Sequence, residues 1–251
     1  MNFDAVIERH GLTAWGVAET ALILDSAQGE GRALLEKYPR AISLLARLSA
    51  AVVDGLEGTA DGRKRAPVLN YWHHMYQVVN PALDAAAREV TRLLEAAGYR
   101  AYPIPASQTI DATELRGYLS HKAVARQAGL GWIGRSCLLV TPQHGPRVRL
   151  ATVLTDAPLE ASRPLDRDCG SCRVCVEACP AGAFTGRPWR ADELREERFD
   201  VWACHQHTER RKEAWGFKGD GTICGICVWC CPYGRCDQSF FSSPGGIPGA
   251  V

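Results

Sequence analysis

No apolar run in this chain reaches the ~18 residues of a membrane-spanning helix. The opening residues, Met1 to His10, lack a basic stretch followed by an apolar one, and no twin-Arg pair precedes an apolar run. Neither secretion nor membrane insertion is expected, and the reducing cytoplasm is the expected compartment. An excess of one charge sign is also missing: 29 Lys and Arg stand against 28 Asp and Glu, a net charge of +1. That balance gives no footprint for nucleic acid or an anionic membrane. A dinucleotide fingerprint is absent. Gly129-Leu-Gly131-Trp132-Ile-Gly134 follows a helical pattern and precedes a strand, whereas the fingerprint follows a strand and opens a helix.

Cysteine, by contrast, is abundant, with 11 in 251 residues. Most of these fall in two runs. Cys169-Gly-Ser-Cys172-Arg-Val-Cys175-Val-Glu-Ala-Cys179-Pro180 has the C-x2-C-x2-C-x3-C-P spacing of bacterial ferredoxins, in which the last Cys serves the other of two clusters. Cys224-Gly-Ile-Cys227-Val-Trp-Cys230-Cys231-Pro232 forms the second half. Zinc ribbons use separated C-x2-C pairs, and here a third Cys crowds the first pair. Disulfides fit small secreted chains better. Two 4Fe-4S clusters are therefore expected.

Taken in order, the chain alternates helical and strand patterns. A short helix is expected at Phe3–His10 and a strand at Leu12–Ala18. Ala41–Val53 carries Ile42, Leu44, Leu45, Leu48 and Val52 at near-helical spacing. Asp54–Pro67 is Gly-rich and charged, hence a loop. Val68–Tyr76 brings Tyr71, Trp72, His73, His74 and Tyr76 together, either as a half-buried helix start or as the wall of a pocket. Asn80-Pro81 opens the clearest helix, with Asn as cap, and Gly98 ends it. A strand over Tyr99–Ile104, with Pro103 and Pro105, reads as an edge. Leu115–Ala128 reads as a helix, and Cys137–Thr141 with Arg147–Thr155 as a hairpin. Asp192–Arg198 reads as a charged helix, and residues 242–251 as a loose tail. The fold class is α+β: a mixed α/β cofactor and substrate domain over 1–160, a bacterial ferredoxin-like domain holding both clusters over 161–240, and a tail over 241–251.

Two cubanes need eight thiolates. The crossed arrangement gives one cluster Cys169, Cys172, Cys175 and Cys231. The other takes Cys179, Cys224 and Cys227, with Cys204 or Cys230 as the fourth. Cys204 is preferred, because its position between the runs has no other evident purpose. Cys137, Cys230 and Cys236 are then structural thiols. Such clusters form a one-electron relay, and ~165 preceding residues must supply a place where the electrons are used.

At this point the chain resembles the epoxyqueuosine reductases. The resemblance is carried by Gly129-Leu-Gly-Trp-Ile-Gly134 with Leu138-Leu139, by Val153-Leu-Thr155-Asp156, and by Asp168-Cys-Gly-Ser-Cys172 through Cys179-Pro-Ala-Gly-Ala-Phe184. It is strongest over 115–235. It implies cobalamin alongside the two clusters, Cys204 as a ligand of the second cluster, and a one-electron donor such as flavodoxin or ferredoxin. It also implies a protein acid that supplies a proton to the substrate. Gly129, Gly131, Trp132 and Gly134 are the corrin candidates. The family's proton-donating Asp has no match in this sequence; Glu114, Asp111 and Tyr118 are the nearest candidates, with His121 beyond. The family's C-terminal helical-repeat extension is not seen, which with the +1 charge argues against tRNA as the substrate. A small-molecule or nucleoside-type substrate is expected instead. The alternative is a ferredoxin-like electron carrier, or a reductive activator of a partner's corrinoid, with no substrate chemistry of its own.

Overall fold

The computed structural model of the chain describes residues 1–191 and 193–235. In chain order the elements are α1 (Phe3–Arg9), β1 (Ala14–Glu19), a 3-10 stretch (Thr20–Ser26), α2 (Gly29–Leu35), β2 (Arg40–Arg47), α3 (Ala50–Asp54) and α4 (Arg65–His73). A π-helical stretch (His74–Val79), α5 (Asn80–Ala96), β3 (Ala101–Ile104), α6 (His121–Gln127), β4 (Trp132–Ile133), β5 (Leu139–Val140) and β6 (Val148–Thr155) follow. The cluster region adds α7 (Val174–Glu177), a 3-10 turn (Arg195–Glu197), α8 (Val201–Trp215) and α9 (Ile226–Trp229). Helices and an antiparallel sheet together give the expected α+β class.

These elements form two compact units that interleave in sequence. One comprises residues 1–48, 74–132 and 148–166; the other comprises 49–73, 133–147 and the described residues from 167 to 235. The last crossing between them falls after Asp166. Two earlier segments, 49–73 and 133–147, join the cysteine-bearing unit, which a single cut does not describe.

The first unit is built on one antiparallel sheet of order β1-β2-β6-β3. Ser43 of β2 lies opposite Gly16 of β1 and Thr152 of β6. β2 is central, and Ala41, Ile42, Ser43, Leu44 and Leu45 are all at most 2% exposed. One side of the sheet carries Ala18, Ala41, Leu154 and Ile104, which pack with Val124 of α6, with Ala128 just after it, with Leu35 of α2 and with Ile23. α5 packs against β2, β3 and β6 and contributes nothing to that cluster, so it covers the other side. Gly16 lets α6 approach: a Cβ there would collide with the Ala128 carbonyl.

Several expected elements come out differently. The near-helical pattern over Ala41–Val53 is strand β2 followed by the short helix α3. A central strand buried on both faces is apolar throughout, which mimics a helical pattern. Asn80 does not cap α5. The helix runs on from the π-helical stretch, and Asn80 Oδ1 accepts from Arg149 Nε at 3.0 Å instead. The helix expected from Leu115 begins only at His121, where Ser120 caps it. Upstream, Leu115 takes φ +49° and Asp111 bridges Arg116. The expected hairpin over 137–155 is not made. β5 pairs with β4, where the chain crosses between units, and β6 pairs with β2 and β3. β3 is an edge strand, as Pro103 requires. Of the charged helix expected over 192–198, the 3-10 turn Arg195–Glu197 forms among the described residues. Asp192, Cys236 and the tail lie outside the described residues. No helix among the described residues is long and apolar enough to cross a membrane.

Candidate iron-sulfur centre

Two local devices set out the cysteines of the second unit. In the first run, Asp168 Oδ1 accepts from Gly170 N at 2.7 Å, and the Cys172 amide donates to the Cys169 carbonyl at 3.1 Å. This turn spaces the first two thiols ahead of α7, which carries Cys175. After Cys179 the chain runs to Ala183–Thr185 and pairs there with 198–200. Thr185 N donates to Arg198 O and Asp200 N to Ala183 O, at 3.1 and 2.8 Å. Phe184 and Phe199 stack across the pair with centroids 5.3 Å apart. Asp200 then caps α8, its Oδ1 accepting from Ala203 N at 2.8 Å, and Gly216 closes that helix at φ +60°. This tie between the first run and α8 brings Cys204 to Cys179.

The second run sits on a different support. Gly225 holds φ +89° ahead of α9, and a Cβ there would lie 2.5 Å from Tyr71 Cε1 and 2.8 Å from Leu56 Cδ1. Trp72 packs edge-on against Phe217 at 4.8 Å and donates Nε1–H to the Asp220 carbonyl at 2.6 Å. The aromatic residues Tyr71 and Trp72 therefore brace the second cysteine run. His73 is exposed.

The electrostatics of the thiols sort them into two sets. Burial pushes Cys175 up to about 11, and neighbouring Cys169 and Cys172 push the same way. Burial also raises Cys231, again with Cys169 and Cys175 beside it. In the other set, burial pushes Cys204 up to about 11, helped by Cys224 and Cys179. Cys227 is raised chiefly by burial and then by Cys224, Cys204, Cys230 and Cys179. Cys224 is raised by burial, with the amides of Ile226 and Gly225 and the charge of Arg211 acting against it. One set thus gathers Cys169, Cys172, Cys175 and Cys231, and the other Cys179, Cys204, Cys224 and Cys227. Cys230 is 4% exposed; burial pushes it up to about 12, and Cys175 and Cys172 are among the charges that raise it. It stands beside the first set, not only the second to which sequence reasoning limited it.

Whether these thiols suit clusters turns on spacing and on the shell behind them. Tetrahedral zinc with ~2.3 Å bonds draws its sulfurs to about 3.8 Å from one another. Among the described residues no group of three or more His, Cys, Asp or Glu stands close enough to hold a single ion. A cubane carries its four thiolates at separate corners. Around the first set, Ser136, 6% exposed, donates its hydroxyl to Cys175. Gly134 comes so close that a Cβ would lie 3.3 Å from Cys169 Sγ and 2.8 Å from Val140 Cγ2. Around the second set, Ala183 N points at Cys179 Sγ at 3.5 Å. Such donors and close contacts are the usual second shell of a thiolate site. Arg198 Nη1 also approaches Cys137 Sγ at 3.8 Å.

The other candidates from the sequence are placed as follows. Gly129 has φ +74°, and its open side faces the Arg163 carbonyl, 2.6 Å from a Cβ position. Gly131 is buried, and Trp132 is 2% exposed. Gly129 thus packs against the chain at Arg163, and Gly134 against the first thiol set. Asp111 is exposed, but its Oδ1 accepts from Thr113 N, Thr113 Oγ1 and Glu114 N at 2.8, 2.6 and 3.0 Å. The Thr113 hydroxyl above all, then the Glu114 amide, holds it below the usual carboxylate range. It is a turn-forming carboxylate and a poor proton donor. Glu114 is exposed. Tyr118 is raised, mainly by Tyr102, so it keeps its proton at neutral pH.

His121 is a structural histidine. Nε2–H donates to the Pro105 carbonyl at 2.9 Å, and Nδ1 accepts from Thr152 Oγ1 at 2.8 Å. Burial pushes it down to about 4. A histidine lowered in the fold contributes stability above its unfolded value of ~6.5, and that stability fades as pH falls toward 4. The urea midpoint should therefore drop between pH 7 and pH 5, and drop less in His121→Gln. Equal losses in both proteins would remove His121 from the acid sensitivity.

Comparison with known proteins places this geometry. Residues 168–234 match the family model of the 4Fe-4S double cluster binding domain. An epoxyqueuosine reductase of Listeria monocytogenes is 34% identical over 125 residues, 47% of this chain and 31% of that protein. The solved epoxyqueuosine reductase of Streptococcus thermophilus superposes on 93% of this chain and 65% of its own, with a TM-score of 0.57 and 19% identity. A reductive dehalogenase, whose structure suggests a mechanism for B12-dependent dehalogenation, covers 94% of this chain and 31% of its own, with a TM-score of 0.62 and 21% identity. The match spans about a third of the Listeria relative's length. The chain carries a double 4Fe-4S cluster domain over residues 168–234 and is similar, over part of their length, to the epoxyqueuosine reductases.

Proposed function

We propose that the chain is a corrinoid-dependent iron-sulfur reductase that passes single electrons through two 4Fe-4S clusters. Cys169, Cys172, Cys175 and Cys231 hold one cluster; Cys179, Cys204, Cys224 and Cys227 hold the other. The observation that carries this reading is the crossed sorting of the thiols, in which Cys179 of the first run stands with Cys224 and Cys227 of the second. An external one-electron donor such as flavodoxin or ferredoxin reduces the clusters. A bound cobalamin supplies reductive chemistry at its metal that clusters alone do not. Support for the corrinoid comes from a fold shared with two kinds of reductase, one of them B12-dependent. Relatives that act on epoxyqueuosine favour a nucleoside-type substrate. Of the proton-donor candidates, Tyr118 and Glu114 stay in the proposal and Asp111 leaves it. The setting is the reducing cytoplasm.

A second reading is an electron carrier, or a reductive activator of a partner's corrinoid. The packing of Gly129 against Arg163 and of Gly134 against Val140 favours it, because neither glycine presents an open face. An anaerobic absorption spectrum of the cluster-loaded protein, taken after adding cobalamin and desalting, decides between them. A corrinoid band retained with the cluster absorbance is the expected result. Full cluster absorbance with no retained corrinoid moves the assignment to the second reading.

A further inference from the structure

We infer that Arg211 is the fixed counter-charge of the cluster held by Cys179, Cys204, Cys224 and Cys227, and that it raises that cluster's reduction potential. The inference rests on the ligand assignment proposed above.

Arg211 is 6% exposed. Its Nη2 donates to the Thr59 and Ala60 carbonyls at 2.8 and 2.7 Å, and its guanidinium lies 5.7 Å from the Trp215 ring centroid. Nη1 is buried with no hydrogen-bond partner. All of these neighbours are neutral. Among the described residues no carboxylate lies within ion-pair distance, whereas buried Arg147 has Asp54 at 2.8 Å and buried Arg198 has Glu193 at 3.7 Å. A buried cation with neutral partners alone is costly, so a counter-charge is called for.

The geometry of α8 supplies one. Cys204 and Arg211 stand seven residues apart, two helical turns, and therefore share a face. Four thiolates on a 4Fe-4S core make a net anion, and one added electron makes it more negative. A nearby positive charge in a buried site stabilises the reduced form more than the oxidised one. Net charge and exposure are among the properties that set the potentials of such clusters. Arg211 acts through the cluster and does not touch substrate; it is a positioning residue for charge.

The test is an anaerobic redox titration of the reconstituted full chain with dithionite, followed by electron paramagnetic resonance. Wild type, Arg211→Gln and Arg211→Lys are compared, with iron content measured on each sample. In Arg211→Gln one of the two clusters should become harder to reduce by about tenfold in its equilibrium, ~59 mV for one electron. Arg211→Lys keeps the charge and should stay near wild type, and the other cluster should not move in either variant. Full iron in Arg211→Gln with both potentials unchanged overturns the inference. So does equal loss of one cluster in both variants, which would mark the fork that binds Thr59 and Ala60, not the charge, as what matters. Wild-type protein holding a single cluster removes the ligand assignment together with this inference, a result distinct from two clusters indifferent to Arg211.

Discussion

Replacing Cys204 by alanine should remove about four of about eight irons, because alanine leaves one corner of the second cluster without a thiolate. The prediction is sharp because of how Cys204 is held. Asp200 caps α8 one turn before it, and the strand-like pairing of 183–185 with 198–200 fixes that cap beside Cys179. No slack remains for another residue of α8 to take the place. Cys230 is the competitor, one residue from Cys231 and near the first set as well as Cys227. Cys230→Ala should therefore keep both clusters and lose stability only through a small cavity. Iron and sulfide assays on the two reconstituted variants decide the point. Full iron in Cys204→Ala with halved iron in Cys230→Ala would reverse the assignment.

Gly225→Ala should cost about 2–5 kcal/mol. A left-handed φ of +89° costs an L-residue ~1–2 kcal/mol. Overpacking a filled interior adds ~1–3 kcal/mol. Here the added Cβ would meet the Tyr71 ring at 2.5 Å and Leu56 at 2.8 Å. Tyr71 is 2% exposed and Leu56 0%, so neither can yield into solvent. The strain falls between Cys224 and Cys227, so cluster occupancy should drop along with the unfolding midpoint. Gly216→Ala is the comparison. Its φ is +60° but nothing lies within 4 Å of a Cβ, so only the backbone part of the cost should appear. Matching losses in the two variants would show that the Tyr71–Leu56 contact carries no weight.

These elements also show what the sequence could reveal. The cysteine spacing, the Cys-Pro closures and the solitary Cys204 were legible because thiolate chemistry constrains spacing directly. The edge strand over 101–104 was legible from Pro103. Helix α8 was not foreseen, although Asp200 and Gly216 are the cap residues of a helix. Its inward side carries Cys204, Thr208 and Arg211, the latter two buried, since it faces thiols and carbonyls and not an apolar core. An apolar 3.6 period never formed there, so the pattern signalled no helix. β2 failed for the opposite reason, being apolar on both faces. The roles of Tyr71, Trp72 and Gly134 depend on contacts across more than thirty residues of chain, which no local pattern encodes. A buried Arg211 without a carboxylate is likewise visible only in three dimensions.

The central claim is that two sets of thiols in this one chain hold two cubane clusters. Metal and acid-labile sulfide analysis of anaerobically reconstituted wild-type protein tests it most directly. The account predicts about eight irons and about eight sulfides per chain. Four irons, or zinc with no sulfide, would contradict it.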